Sequence, residues 1–219
     1  MNIAFYNELA PQLNTYHATL IAVTKNQPLP ALQELYDFGL RRFGENRVQE
    51  LCEKQQQLPA DIEWHLIGHL QSNKVKYIAP FISYIHSVDS LKLLEEINKH
   101  AASNQRIIKC MLQCYIASEE TKYGLDEVEL MDLLNAPNLK TFQHIEIVGL
   151  MGMATNTKDT ALIAKEFKHL KNIFDRVQSQ FFSTQNSFKE ISMGMSSDYE
   201  IALECGSTML RIGSMLFTQ

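Results

Sequence analysis

The sequence predicts an α/β protein, a single (β/α)8 TIM-type barrel with an extra N-terminal helix. Short apolar runs alternate with segments of helical period along the whole 219-residue chain, the pattern of parallel strands joined by crossover helices. Eight such runs can be counted, and about 200 residues is near the lower length limit of this barrel. No internal repeat, low-complexity tract or Pro/Gly/Ser-rich linker divides the chain, so residues 1–219 read as one domain. With 45% hydrophobic residues the chain can bury a full core. A doubly wound open sheet would give a similar string of elements. In either architecture the carboxyl ends of the strands face the ligand.

The segment before the first strand reads as a helix containing Pro11, which removes an N–H and predicts a short or kinked helix. The first strand is read at 19–24 and delivers Lys25; Pro28 then opens a helix over 29–38. The second strand, 42–44, runs into Gly44-Glu45-Asn46 and a helix over 48–57. The third, 63–67, ends at Gly68-His69, and the fourth, 84–88, leads to Asp89-Ser90, a capping pair for the helix LKLLEEI. The apolar run 107–116 supplies the fifth strand, with a helix after Asp126; the sixth, 145–151, precedes a long helix across 160–179. The seventh, 190–193, leads to Asp198, expected to cap a helix over 199–204 that Gly206 terminates. The eighth lies at 209–213.

A formal net charge of −5, with Lys and Arg scattered in short groups such as Arg41-Arg42 and Lys74-Val75-Lys76, argues against a nucleic-acid binder, which concentrates basic residues on one face. Those groups read as solvated surface. Cys52, Cys110, Cys114 and Cys205 show no CxxC spacing and no histidines at zinc-like intervals, so no metal site and a reducing, cytoplasmic setting are expected. Cys110 and Cys114 lie in an apolar run and read as buried structural thiols. The first residues lack a basic segment followed by an unbroken apolar stretch, and no apolar run reaches roughly 18 residues, so neither secretion nor membrane spanning is expected.

The residues at the strand ends could carry chemistry. The run LIAVT brings Lys25 from a buried strand to the barrel mouth, where partial desolvation would favour a free amine able to form a Schiff base. A solvated lysine in the loop before Pro28 is the plainer alternative. Ser192-Met193-Gly194-Met195-Ser196 and Arg211-Ile212-Gly213-Ser214 are small and polar, so their backbone N–H groups could approach and cradle a phosphate. An ordinary turn closing a loop would look the same. Arg211 on a barrel strand requires either a ligand or an acid such as Glu204 or Glu45. His65, inside the third strand, reads as a core histidine before it reads as a base.

Taken in order, the segments IAVTKNQP, FGENRVQE, EWHLIGHLQSNK, IHSVDS, SEETKYGL, VGLMGMAT, ISMGMSSDYEIAL and GSTMLRIGSMLF resemble the pyridoxal phosphate (PLP) homeostasis protein family, also called proline synthetase co-transcribed homologues. Its members look like a free-standing alanine-racemase-type barrel, so the resemblance implies an alanine-racemase-N-terminal-like, PLP-binding barrel over 1–219. It implies that Lys25 holds the cofactor pyridoxal 5′-phosphate as an internal aldimine, and that Ser196 and the segment Arg211, Ile212, Gly213, Ser214 gather around phosphate and ring. Arg211 would face the pyridine nitrogen, Asn46 would lie beside the ring, and Met193, Gly194 and Met195 would line the phosphate end. Thr24, Arg47 and Ser197 depart from the commoner serine, tyrosine and aspartate. Lys74 and Lys122 match motif positions near the mouth and could bind phosphate or accept PLP, although solvated loops are the plainer reading.

A cation at the ring nitrogen weakens the ring as an electron sink, where a carboxylate would strengthen it. Alanine racemases of this resemblance add a β-rich domain that supplies an opposing tyrosine across a dimer. This chain stops at Gln219 without one, and Tyr36, Tyr115 and Tyr123 read as packing or surface residues. The leading expectation is therefore a monomeric PLP carrier or regulator in intracellular vitamin B6 homeostasis, not a conventional enzyme, with PLP-dependent apoenzymes as acceptors. The alternatives are a small PLP-dependent amino-acid racemase, and a barrel that binds a phosphosugar without PLP.

Overall fold

The computed structural model describes residues 1–118 and 123–217. Eight parallel strands close into a barrel in sequential order, each hydrogen-bonded to the next and β8 to β1. They are β1 (Thr19–Val23), β2 (Arg42–Glu45), β3 (Glu63–Leu66), β4 (Tyr84–Val88), β5 (Ile108–Gln113), β6 (Ile145–Met151), β7 (Glu190–Ser192) and β8 (Met209–Ile212). All eight expected strands form, within a few residues of their expected bounds, and closure removes the open-sheet alternative. The helices are α1 (Ile3–Tyr16), α2 (Leu29–Asp37), α3 (Val48–Gln55), α4 (Val75–Ile78), α5 (Leu91–Ser103), α6 (Glu127–Asn135), α7 (Thr160–Phe181), α8 (Tyr199–Glu204) and α9 (Ser214–Phe217).

Capping sets several of these bounds. Ser90 accepts the Leu93 N–H, and Asp126 and Glu129 form a reciprocal capping box at α6. Gly206, at φ +91°, follows the C-cap Cys205 of α8, the position expected of it. Asp198 does not cap α8; its carboxylate turns back to accept the Met195 N–H at 2.6 Å. Helix α1 also departs from expectation, running unbroken through Pro11. Asn7 and Pro11 are exposed, so solvent can serve the carbonyl that the proline leaves unpaired. The β3–β4 connection holds a 3-10 turn (Ser72–Lys74) and the one-turn α4, and Val75 in the supposedly solvated basic triplet is fully buried. Short turns of this kind carry too little periodicity to be read from sequence.

The main core lies between the sheet and the helices. Helix α7 contributes Ile163, Phe167, Leu170, Phe174 and Val177, a spacing that keeps one stripe against the barrel. Phe188 stacks on both Phe174 and Phe182. Inside the barrel a second, smaller apolar cluster joins Tyr84, Met111, Val148, Met151 and Met209. The rest of the interior includes buried polar side chains, among them His65, His86, Ser192 and Arg211, where branched aliphatic residues usually dominate. Cys110 and Cys114 are buried, as expected; burial pushes both thiols up, Cys114 to about 12.

Candidate functional site

Site residues expected from the sequence lie at the carboxyl ends of β7, β8, β1 and β2, four strands adjacent around the barrel. Lys25 lies two residues past the end of β1, with a pinned backbone on both sides. The Thr24 carbonyl accepts from Lys54 Nζ at 2.6 Å, and the Asn26 N–H donates to Glu50 at 2.7 Å. Asn26 takes a left-handed backbone, φ 60°. The Lys25 side chain itself is exposed, so the chain alone does not supply the partial desolvation expected of it.

A buried ion pair organises the ends of β1 and β2. Glu45 accepts from Thr24 Oγ1 at 2.5 Å and from Lys54 Nζ at 2.7 Å, and Lys54 also reaches Glu50 at 2.6 Å. Burial raises the Glu45 pKa against the pull of Lys54 and Thr24. Thr24 thus supplies the hydroxyl this network uses. Half-buried Asn46 follows Glu45. A side chain at Gly68 would place its Cβ 2.3 Å from the Asn46 carbonyl, so glycine lets the backbone after β3 close onto Asn46.

At the far side of the mouth, Gly194 bends the chain after β7 with φ +93°, and a Cβ there would lie 2.6 Å from that of Ala202. The Met195 and Asp198 backbones and the Asp198 carboxylate close a tight turn that carries Ser196 and Ser197. The Gly194 carbonyl accepts the Arg211 N–H at 3.0 Å, fastening this turn to β8. Gly213 packs its α-carbon against Val23, close to Lys25 in the chain, and exposed Ser214 opens α9. Met193 does not line this turn with its side chain: it is wholly buried in the outer core, and its carbonyl accepts from Ser207 Oγ.

The Arg211 side chain is 4% exposed. Its guanidinium donates to Ser192 Oγ at 2.6 Å and to the Gly152 carbonyl at 3.1 Å. It meets neither acid weighed from the sequence, since Glu45 is taken by Lys54. Burial lowers its pKa to about 10, which leaves it a cation at neutral pH, with Asp198 opposing the shift. His65 is a core histidine, stacked on Tyr84 at 4.4 Å and bonded to His86 and Glu63. His69 stacks on Tyr123. Lys74 is exposed with its ammonium 5.7 Å from the Tyr77 ring centre, as a solvated lysine would be; Lys122 lies outside the described residues.

The alanine racemase N-terminal domain model matches residues 2–219. The pyridoxal phosphate homeostasis protein of Aquifex aeolicus is 36% identical over 205 residues, spanning 91% of this chain and 86% of that protein. The human protein of the same description is 35% identical, spanning 90% and 75%. This chain belongs to the pyridoxal phosphate homeostasis protein family. The structure of PipY from Synechococcus elongatus with PLP bound superposes with a TM-score of 0.81 at 37% identity, covering 96% of this chain and all of that one. Outside the family, alanine racemase from Bartonella henselae shares the fold, with a TM-score of 0.72 at 18% identity over 56% of its own length.

Sequence reading missed His86, Lys54 and Glu166, and it named Ser192 and Glu45 without their roles as partners of Arg211 and Lys54. Glu166 accepts four hydrogen bonds from Ser118 and Thr155, joining the segments after β5 and β6. The signal for His86 and Ser192 was present. Strand alternation places residues two apart on the same face, so polar residues at 63, 65, 84, 86, 190, 192 and 211 mark one inward row on each of four strands. Among the described residues no group of three His, Cys, Asp or Glu could hold a metal ion, and no helix is long and apolar enough to cross a membrane.

Proposed function

We propose that this protein binds pyridoxal phosphate covalently through Lys25 and acts in its homeostasis as a carrier or regulator. The observation that carries the reading is Arg211: a buried cation at the end of β8, beside glycine-built turns and close to the strand that delivers Lys25. The donor set fits this ligand. Gly194 leaves backbone where a side chain would collide and Gly213 where one would be crowded, and Ser196 and Ser214 offer hydroxyls at the turns after β7 and β8, where barrels of this class bind phosphate. Asn46 borders the same mouth across β1 and β2. The PLP-bound relative supports the assignment.

When bound, PLP supplies an aldehyde for amine capture and a ring that can take up electrons. Lys25 provides the amine. Arg211 is donor-only, so a ring nitrogen held by it would be an acceptor kept free of a proton, which would weaken electron uptake and favour storage over carbanion chemistry. The reading extends to a monomeric protein in the cytoplasm that yields its cofactor to PLP-dependent apoenzymes; free thiols at all four cysteines support a reducing compartment.

The deciding experiment is the visible absorption spectrum of the protein with added PLP, for wild type and Lys25→Ala, followed by borohydride reduction and peptide mapping. A visible band confined to wild type, with the reduced adduct on Lys25, is the expected result. No band, or an adduct elsewhere, would overturn the assignment.

A further inference from the structure

A single hydrogen-bonded line crosses the barrel interior from the Arg211 side to the opposite, amino-terminal face. Arg211 Nη1 lies 2.6 Å from Ser192 Oγ, and Ser192 Oγ 3.0 Å from His86 Nδ1. His86 Nε2 lies 2.9 Å from His65 Nδ1, and His65 Nε2 3.1 Å from Glu63 Oε1. There the carboxylate is one-third exposed, and the same oxygen accepts from Arg42 Nε at 3.0 Å. The links between are buried, so water does not replace a missing partner.

The two ends dictate the direction of every bond. Arginine can only donate and an ionised carboxylate can only accept. Ser192 therefore accepts from Arg211, and with one proton on each ring the carboxylate end sets the rest: His65 must donate from Nε2 and accept at Nδ1, so His86 must donate from Nε2 and accept the one proton of Ser192 at Nδ1. Both rings are neutral, in agreement with burial, which lowers both pKa values. Arg42, Lys109 and Tyr84 also face His65, and His86 faces Arg211. Each bond polarises the next in the same sense, from cation to anion.

We propose that Glu63 is a positioning residue: from the far face of the barrel it fixes the tautomers of His65 and His86, and through Ser192 it holds the Arg211 guanidinium in one orientation toward the ligand. Only the last step, from Arg211 to the ligand ring, rests on the function proposed above. The tautomer order is a property of the protein without ligand.

The test is 15N NMR of the histidine rings in wild type, Glu63→Ala, Glu63→Gln and Glu63→Met, paired with PLP titration and mapping of the reduced adduct. In wild type both His65 and His86 should be neutral with the proton on Nε2. Glu63→Ala removes the terminal acceptor, so the His65 tautomers should mix and PLP affinity fall about ten-fold, the effect of one hydrogen bond to a charged group, while the adduct still maps to Lys25. Glu63→Gln keeps an oxygen for both Arg42 and His65 and should restore the wild-type tautomers, whereas Glu63→Met, which keeps the volume without an acceptor, should not, a difference that loss of packing alone would not predict. A wild-type proton on Nδ1 of either ring overturns the proposal, whether or not Glu63→Ala folds. Unchanged tautomers in Glu63→Ala also overturn it. Ordered tautomers in a protein that binds no PLP would instead overturn the proposed function and leave the line standing.

Discussion

Lys54 Nζ sits 2.7 Å from Glu45 Oε1, with both side chains nearly inaccessible and the second Glu45 oxygen without a hydrogen-bond partner. Removing one member of a buried pair strands the other charge. Lys54→Met should therefore destabilise the protein by about 3–5 kcal/mol in urea unfolding. It should also weaken PLP binding, since Lys54 holds the carbonyl next to Lys25. The double variant Lys54→Met, Glu45→Leu should recover much of the stability, because no charge is left buried. Equal losses in the single and double variants would show that packing, not the stranded carboxylate, dominates.

This pair also shows where sequence reading stops. Strands buried on both faces appear as apolar runs, so β1 through β8 and the exits at Lys25, Asn46 and Arg211 were legible. The adjacency of the β7, β8, β1 and β2 exits follows from closure alone. Lys54, on a helix between Glu53 and Gln55, looks like any solvated lysine; only the fold turns it inward. Met193 misled for the opposite reason: its neighbours Gly194 and Ser196 lie on the turn, but strand alternation sends its own side chain into the outer core. Pro11 misled because a proline whose lost acceptor faces solvent does not end a helix.

The buried histidines make stability depend on pH. Burial depresses His65, against the opposing pull of Glu63, and depresses His86 well below its usual value, with His65 and Arg211 adding to the effect. The unfolded chain therefore binds more protons than the native one below the ordinary histidine value of 6.5. Native stability should be intact above that pH and fall as pH drops toward the depressed values, by at most about 1.4 kcal/mol per pH unit for each histidine. Urea unfolding between about pH 7 and 5 measures the slope, and His86→Gln should reduce it. A flat profile in wild type would mean that the rings are not held neutral.

Gly194 has no room for a side chain. A methyl group there would stand 2.6 Å from Ala202 Cβ and 2.8 Å from Leu210 Cδ2, on a backbone with φ +93°. Overpacking and left-handed strain together should cost Gly194→Ala about 2–4 kcal/mol, read as a lowered thermal midpoint. Gly39→Ala is the control: it has a similarly positive φ but nothing within 4 Å of the added carbon, so it should lose less.

Arg211→Lys keeps the charge but loses the fork that reaches Ser192 and Gly152 together. One charge-assisted hydrogen bond lost to the ligand or its support should weaken PLP binding about ten-fold, with little change in the adduct position. Fluorescence titration with PLP checks this, and tighter binding by the lysine variant would contradict the role assigned to Arg211. In heavy water, wild type should exchange the α-protons of amino acids slowly or not at all if the protein is a carrier; rapid exchange would favour the racemase reading.

Glu166 fastens two loops at the barrel mouth, taking the N–H and hydroxyl of Ser118 and of Thr155 at 2.6–2.9 Å. Burial would raise its pKa, but these four bonds outweigh burial and hold it below the usual carboxylate value of 4.5. The depressed value means that its stabilisation is complete above about pH 4.5 and is lost as acid protonates the folded state. Glu166→Ala removes the acceptor of all four bonds and leaves the Thr155 N–H unsatisfied, while the Ser118 N–H keeps Thr155 Oγ1 at 3.0 Å, a cost of about 1–3 kcal/mol. Because the bonds are local to the loops after β5 and β6, hydrogen exchange should speed most at the Ser118 and Thr155 amides and least in the strands. Glu166→Gln keeps one acceptor oxygen and should fall between wild type and alanine. Uniformly faster exchange across the barrel would show that Glu166 supports the whole fold, not the mouth.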